Sequence, residues 1–161
     1  MKTTDLDRSL PSLFSELVHG APEGSAFILN GGDRGLLRSL DGLSAATAST
    51  SRDGGGTIAA HVAHLQYGLS LMNRWAAGEN PFADADWSTA WETDAVSDEE
   101  WSALREGLRG EVDGWMQALR TDREVSGMEL DGVLASIMHL AYHMGAIRQI
   151  DRAARGPRDT G

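Results

Sequence analysis

Cysteine is absent from this chain of 161 residues, and basic residues are scarce, with 14 Lys and Arg against 24 Asp and Glu. Without cysteine the chain has no disulfide scaffold, thiolate zinc finger, iron–sulfur cluster or cysteine nucleophile. The net charge of −10 argues against a nucleic-acid groove, because a phosphate backbone demands a basic surface. Any metal must therefore be held by histidine, aspartate or glutamate.

Long apolar runs are also missing. No stretch approaches the ~18 apolar residues of a membrane span, and the first ten residues carry charges where a signal peptide needs an apolar core. We therefore expect a soluble, cytoplasmic protein with neither a membrane nor a nucleic acid as partner. Hydrophobic residues still make up 41% of the chain, which is enough for the core of one domain.

The negative charge is concentrated in the middle of the chain. Residues 79–113 contain eleven acidic and two basic residues, a local charge of −9. A solvated loop and helix face explain this charge, and a surface for partner recognition is the weaker alternative. The loop over 79–96 also contains Phe82, Trp87 and Trp91. These aromatic residues either cover a site as a lid or pin a long connection to the helices.

Apolar residues recur at helical spacing in four segments, and no segment alternates as a strand would. Thr57 is the predicted N-cap of the second segment, and Ser97 with Glu100 forms a predicted capping box at the start of the third. Asp33 is a plausible N-cap for the first. The predicted helices span 33–49, 57–78, 97–120 and 129–154.

These segments predict an all-α fold, a four-helix bundle over residues 33–156. Residues 1–32 are predicted to form a short N-terminal extension with a loose helix over 4–18, which Pro11 weakens or splits. We expect a disordered tail over 157–161.

The last predicted helix holds a pair of histidines in an uncharged stretch. Residues 132–147 contain no Asp, Glu, Lys or Arg, which predicts a helix buried on nearly all sides. His139 and His143 are four residues apart, and this spacing puts two imidazoles on one face, as a helix does for a metal. A buried imidazole needs a partner. Either another helix or a metal must supply it.

A second pair, His61 and His64, lies on the helix predicted over 57–78. Geometry alone does not decide which of these two histidines is directed toward the last helix. Hydrogen-bonded core histidines are the alternative interpretation, but two pairs on two helices of one bundle favour a metal. Three neutral imidazoles leave a coordination position open, as in catalytic sites. The fifth histidine, His19, is predicted to lie at the surface or at a helix end.

Two sequence motifs resemble those of the DinB-like (DinB/YfiT) superfamily. Residues 139–150, HLAYHMGAIRQI, resemble its last-helix motif, which is His, three residues, His, a small residue and then Gln-Ile. Residues 57–65, TIAAHVAHL, resemble the second-helix motif, in which a Thr-Ile start precedes His-Leu by seven residues. The order and separation of the motifs also fit, and the resemblance covers about residues 33–154.

The resemblance implies a four-helix bundle that binds one divalent ion, Zn, Ni, Mn or Fe, through His64, His139 and His143. His61 is then either an alternative ligand or a residue that contacts a ligand without binding the metal itself. Members of the superfamily often form homodimers, and some are transferases or isomerases that use low-molecular-weight thiols. We therefore expect a metal-dependent enzyme, a thiol-dependent S-transferase or a hydrolase, that acts on a small-molecule substrate. The alternative is a non-catalytic metal-binding or dimerisation module with a stress-related role.

Overall fold

The computed structural model describes residues 3–157, and this range contains helices and no β-strand. The predicted all-α class is confirmed for these residues. None of their helices combines the length and the apolar character that a membrane crossing requires. The predicted disordered tail lies outside the described residues except for Pro157. The α-helices are α1 (Thr3–His19), α2 (Gly35–Asp41), α3 (Ala45–Ala48), α4 (Ile58–Ala76), α5 (Asp98–Arg120) and α6 (Gly127–Ile150), and 3₁₀ turns span Pro81–Ala83, Thr89–Trp91 and Arg152–Ala154.

Local capping chemistry sets where the three longest helices begin. Thr57 caps α4, and Ser97 forms a capping box with Glu100 at the start of α5, as predicted. The last helix begins two residues earlier than predicted, because Ser126 and Glu129 form a second capping box that was not predicted.

The single helix predicted over 33–49 is wrong, because this stretch forms the two short helices α2 and α3. Asp33 does not cap a continuous helix. Its carboxylate accepts a hydrogen bond from the Gly35 backbone N–H (2.9 Å) and pairs with the Arg148 guanidinium (2.8 Å). Ser44 caps the start of α3 instead, so a second N-terminus interrupts the stretch.

The first helix, α1, continues through Pro11 without splitting. Its inner face buries Phe14, Leu17 and Val18 completely, and the helix packs against α2, α5 and α6. This packing outweighs the backbone hydrogen bond that proline cannot make. The helix that was predicted to belong to an N-terminal extension therefore contributes to the same core as the other long helices.

Helices α4 and α5 pack closely because glycines of α5 lie opposite polar side chains of α4. A Cβ atom at Gly107 would collide with the Gln66 amide, and one at Gly114 would lie 3.0 Å from the Asn73 amide nitrogen. The Asn73 amide donates to a backbone carbonyl of α5 at 3.0 Å. This contact fixes α4 along α5 and leaves a different face of α4, with its two histidines, to meet α6.

The prediction that α6 is buried on nearly all sides is wrong for one face. Met138 and Tyr142 are 66% and 71% exposed, and Ala135 on the same face is exposed too. The reason is that α6 packs mainly against α4 and α1, which lie on its other side. The face with His143, which is 2% exposed, is the one turned inward.

A buried carboxylate holds the loop that follows α1. Glu16 is 3% exposed and accepts hydrogen bonds from the backbone N–H groups of Phe27, Ile28 and Leu29, at 2.6–3.1 Å. Hydrogen bonds to an ionised group are stronger than those between neutral groups. One side chain thereby organises three consecutive residues of the loop between α1 and α2.

We expect Glu16→Gln to destabilise the protein by about 1–3 kcal/mol, since the amide loses the charge and turns a donor toward these N–H groups. Urea unfolding would measure the loss as a lower midpoint, with an unchanged dependence of the unfolding free energy on urea concentration. The matched control is Glu23→Gln, which changes an exposed carboxylate in the same loop. Equal unfolding midpoints for the two variants would contradict the assigned role of Glu16.

Candidate metal centre

Four histidines from two antiparallel helices meet in one cluster. His61 on α4 lies against His143 on α6, while His64, one turn further along α4, lies against His139, one turn earlier on α6. The pairs thus run in opposite order along the two helices. Spacings of three and four residues keep each pair on one helix face, so antiparallel packing brings all four rings together.

Three of the four rings converge through the same nitrogen. The Nε2 atom of His139 lies 3.0 Å from Nε2 of His64 and 2.9 Å from Nε2 of His143. All three residues place a ligand atom within 4.8 Å of the others, so this three-histidine cluster can hold a metal ion. It contains the three histidines that the resemblance implies as ligands.

The fourth histidine, His61, contacts the cluster from behind. Its Nδ1 lies 2.8 Å from Nδ1 of His143, on the side of that ring away from the converging Nε2 atoms. The residues alone left His61 and His64 as equal alternatives. In the structure, His64 belongs to the converging group and His61 is a hydrogen-bond partner of one member.

Proton counting shows that hydrogen bonds alone cannot satisfy the cluster. A neutral imidazole has one N–H donor and one acceptor nitrogen. The Nε2 atom of His139 therefore carries either one hydrogen or one lone pair, yet it has two Nε2 neighbours at hydrogen-bond distance. Within residues 5–157 the four imidazoles hydrogen bond only to one another. One close contact stays unsatisfied in every assignment of protons.

A second unsatisfied atom lies in the same cluster. Nδ1 of His64 is buried and has no hydrogen-bond partner within the described part of the chain. A buried polar atom without a partner costs about 1–3 kcal/mol. Such atoms are rare in folded proteins, and an ordered water molecule often satisfies them.

Burial keeps the four imidazoles neutral, which is the form that binds metals. Desolvation, together with the charges of His139 and His61, lowers the pKa of His64 to about 4. Desolvation, followed by the charges of the other three rings, lowers the pKa of His143 to about 3. Burial also lowers the pKa of His61 and of His139. The cluster therefore offers lone pairs rather than positive charge near neutral pH.

Tryptophans from the connection between α4 and α5 cover the cluster. The Trp91 ring lies 4.5 Å from the His64 ring at an angle of 30° and meets the His61 ring edge-on at 5.2 Å. The Trp87 ring lies 5.4 Å from His64 and 6.4 Å from His139. Of the two roles considered for these aromatic residues, the structure shows the packing role for Trp87 and Trp91, since both lie against the histidines.

Other polar residues near the motifs do not belong to the converging group, although the Tyr142 ring meets the His143 ring edge-on at 5.0 Å. His19 is exposed at the end of α1, as predicted, and Tyr142 is exposed on the outer face of α6. Tyr67, which was not predicted to have a role, fixes the covering connection because its hydroxyl accepts a hydrogen bond from the Asp86 backbone N–H at 2.9 Å. No sequence signal distinguishes it from an ordinary helix-surface tyrosine.

Comparisons of the chain with protein-family models, with curated proteins and with solved structures found no match.

In metal-free protein we expect the free energy of unfolding to fall as the pH drops from about 6.5 toward 4. The pKa of His64 and of His143 is depressed in the folded state, so the unfolded chain binds more protons in this range. His143→Asn should flatten this slope, because it removes one of the depressed groups. Chemical unfolding of chelator-treated protein at a series of pH values measures the slope.

The control for this experiment is His19→Gln, which removes an exposed histidine outside the cluster and should keep the wild-type slope. Identical slopes in wild type and His143→Asn would contradict the assignment.

Proposed function

We propose that the chain is a divalent-metal-dependent protein of the DinB-like superfamily, with His64, His139 and His143 as the metal ligands. The convergence of three Nε2 atoms that hydrogen bonding cannot satisfy is the observation that carries this proposal. The two motifs, one on α4 and one on α6, support it. We propose further that α1, α4, α5 and α6 correspond to the four helices of the superfamily's bundle.

The donor set fits a divalent transition metal. Neutral imidazole binds Zn²⁺, Ni²⁺ and Fe²⁺ well, and the resemblance adds Mn²⁺. Zinc–imidazole bonds are about 2.0–2.1 Å long, so two nitrogens on one tetrahedral ion lie about 3.3 Å apart. The Nε2 separations of 2.9 and 3.0 Å are a few tenths of an ångström shorter, so small movements of the rings would admit the ion. One shared cation would accept all three lone pairs and remove the proton conflict.

His61 is proposed to orient a ligand rather than to bind the metal. With Nε2 of His143 turned to the ion, the Nδ1–H of His143 is free to donate to Nδ1 of His61, at 2.8 Å. Such a partner behind the ligand fixes both the tautomer and the ring orientation. In most metal sites a carboxylate or a carbonyl fills this position, and here an imidazole does.

The proposed activity is that of an enzyme acting on a small molecule, either a thiol-dependent S-transferase or a hydrolase. A divalent cation held by three imidazoles lowers the pKa of a water or thiol at its open position. The chain has no cysteine, so any thiol must come from outside. Trp87 and Trp91 limit the access of bulk water to the histidines, which strengthens electrostatic interactions within the site.

The non-catalytic metal-binding module is the alternative, and substitution of the ligands separates the two. Because all four histidines come from one chain, the site needs no second subunit. Homodimer formation is therefore an expectation of the resemblance only. If replacing His64, His139 and His143 by alanine costs only stability and leaves every screened activity unchanged, the metal site is structural and not catalytic.

We expect the wild-type protein to bind one equivalent of Zn²⁺ or Co²⁺ and to unfold at a higher temperature when loaded. A ligand at 100 times its Kd stabilises the native state by about 2.7 kcal/mol. His139→Ala should lose both stoichiometric binding and the thermal shift. Elemental analysis after dialysis and thermal unfolding, each with and without a chelator, measure the effect.

His19→Ala is the matched control and should bind metal as the wild type does, because it removes a histidine outside the cluster. The proposal fails if purified wild-type protein holds no stoichiometric metal and gains no thermal stability from Zn²⁺, Ni²⁺ or Mn²⁺.

For His61→Ala we expect one equivalent of metal to be retained and the affinity to fall about 10–100-fold, as for other groups that orient a ligand. Competition with a chromophoric chelator measures the affinity, and the visible spectrum of bound Co²⁺ reports the ligand set. Loss of stoichiometric binding would make His61 a ligand instead. An unchanged affinity would show that its contact with His143 does not matter for the metal.

A further inference from the structure

A cavity of about 290 Å³ lies between α4 and α6, beside the three-histidine cluster. Phe82 and Trp87, both from the connection between α4 and α5, form one wall. The His139 side chain lies at its border, so one ring belongs to both the cluster and the cavity. The cavity is at the lower end of the range for small-molecule sites, which is about 300–1,000 Å³.

Small residues on both helices leave this space open. A Cβ atom at Gly68 would lie 3.4 Å from the Trp87 ring and 3.6 Å from Cε1 of His139, so a methyl group here would already touch both rings. On α6, Gly132 and Ala135 also line the cavity. A longer side chain at Gly68 would project into the space or displace one of these rings, and one at Gly132 would meet the Trp75 ring, which a Cβ atom would approach to 3.0 Å.

The walls are mostly apolar, and His139 is the one titratable residue among those that line the cavity. None of the lining residues is an aspartate, glutamate, lysine or arginine. The Ser136 hydroxyl is already engaged, because it donates to the Val133 carbonyl at 2.7 Å and accepts from the Trp115 indole N–H at 3.0 Å. The side chains that can still offer a polar atom are the imidazole of His139 and the indole of Trp87. Burying a charged group here would cost far more than burying an apolar one.

Size and chemistry together define the ligand. A dry apolar cavity of about 150 Å³ accommodates benzene, so the space beside His139 fits one aromatic ring and a few further atoms. The Trp87 ring adds an aromatic surface against which a flat ring can pack. A polar or reactive atom attached to such a ring could point to the His139 border of the cavity, which leads to the histidine cluster.

We propose that this cavity binds the uncharged, ring-containing part of a small-molecule substrate and holds the reacting atom of that substrate at the three-histidine cluster. The second half of this statement rests on the proposed metal-dependent function. The first half does not, because it concerns only the shape and polarity of the cavity.

The first experiment uses chelator-treated protein and benzyl alcohol, a neutral aromatic probe, with ligand-detected NMR as the readout. We expect benzyl alcohol to bind saturably to the wild type. Glycerol, which has hydroxyls but no apolar part, should not bind. Ala135→Phe should weaken benzyl alcohol binding at least about tenfold by filling the cavity from an exposed position of α6. Ala135→Leu is a smaller second variant for use if the first does not fold.

Ala103→Phe is the matched control, since it makes the same substitution at an exposed alanine of α5 that does not line this cavity. Its affinity should stay within about twofold of the wild type. Absence of saturable binding, or equal binding by wild type and both Ala135 variants, would overturn the proposal.

The second experiment compares benzyl mercaptan with 2-mercaptoethanol on Co²⁺-loaded protein, through the thiolate-to-cobalt absorption band. We expect benzyl mercaptan to bind at least about tenfold more tightly and to lose this advantage in Ala135→Phe. Equal affinities would overturn the link between cavity and cluster. If Co²⁺ does not bind while benzyl alcohol still does, the proposed metal function fails and the cavity assignment stands.

Discussion

A nitrogen atom that carries one hydrogen or one lone pair cannot satisfy two neighbouring nitrogens, and this limit governs the centre of the molecule. Nε2 of His139 has two such neighbours within 3.0 Å. The surrounding structure holds the three rings at these short separations. The glycines of α5 fix the position of α4, the inner faces of α4 and α6 bury the rings, and Trp91 lies across them. Such an arrangement is costly for a structural core and suited to a metal, which removes the need for protons.

The same packing supplies the electrostatics of the site. Burial shifts the pKa of His64 and of His143 far below the ordinary value, so the rings are neutral where a metal would compete with protons. The strongly acidic middle of the chain takes no part in this, because it reaches the cluster through tryptophan side chains and not through carboxylates. The acidic residue next to Trp87, Asp86, is instead held by the Tyr67 hydroxyl through its backbone N–H. The connection between α4 and α5 therefore contacts the histidines through its tryptophans, while its carboxylates lie elsewhere.

The features that sequence predicted best are those encoded within a few residues. Local geometry underlies the predictions made from Thr57, from Ser97 and from the spacing of His139 and His143. The first two residues predicted where α4 and α5 begin, and the spacing predicted that the two imidazoles share one face of α6. The features that failed depend on distant packing. Periodicity does not reveal that α1 joins the core, or that the outer face of α6 lacks a covering helix within residues 3–157. The choice between His61 and His64 was open for the same reason, because it depends on the register of α4 against α6.

The register of α4 against α6 also places the cavity next to the histidine cluster. The two helices are antiparallel, so one turn beyond His64 along α4 corresponds to one turn before His139 along α6. At that level both helices carry small residues, Gly68 and Ala135, and the space between them is the cavity. Functional groups placed on rigid helices keep their separation more precisely than groups on loops. Helix packing therefore sets the distance between the cavity and the converging nitrogens, while Trp87 and Phe82 of the connection line the outer side of the cavity.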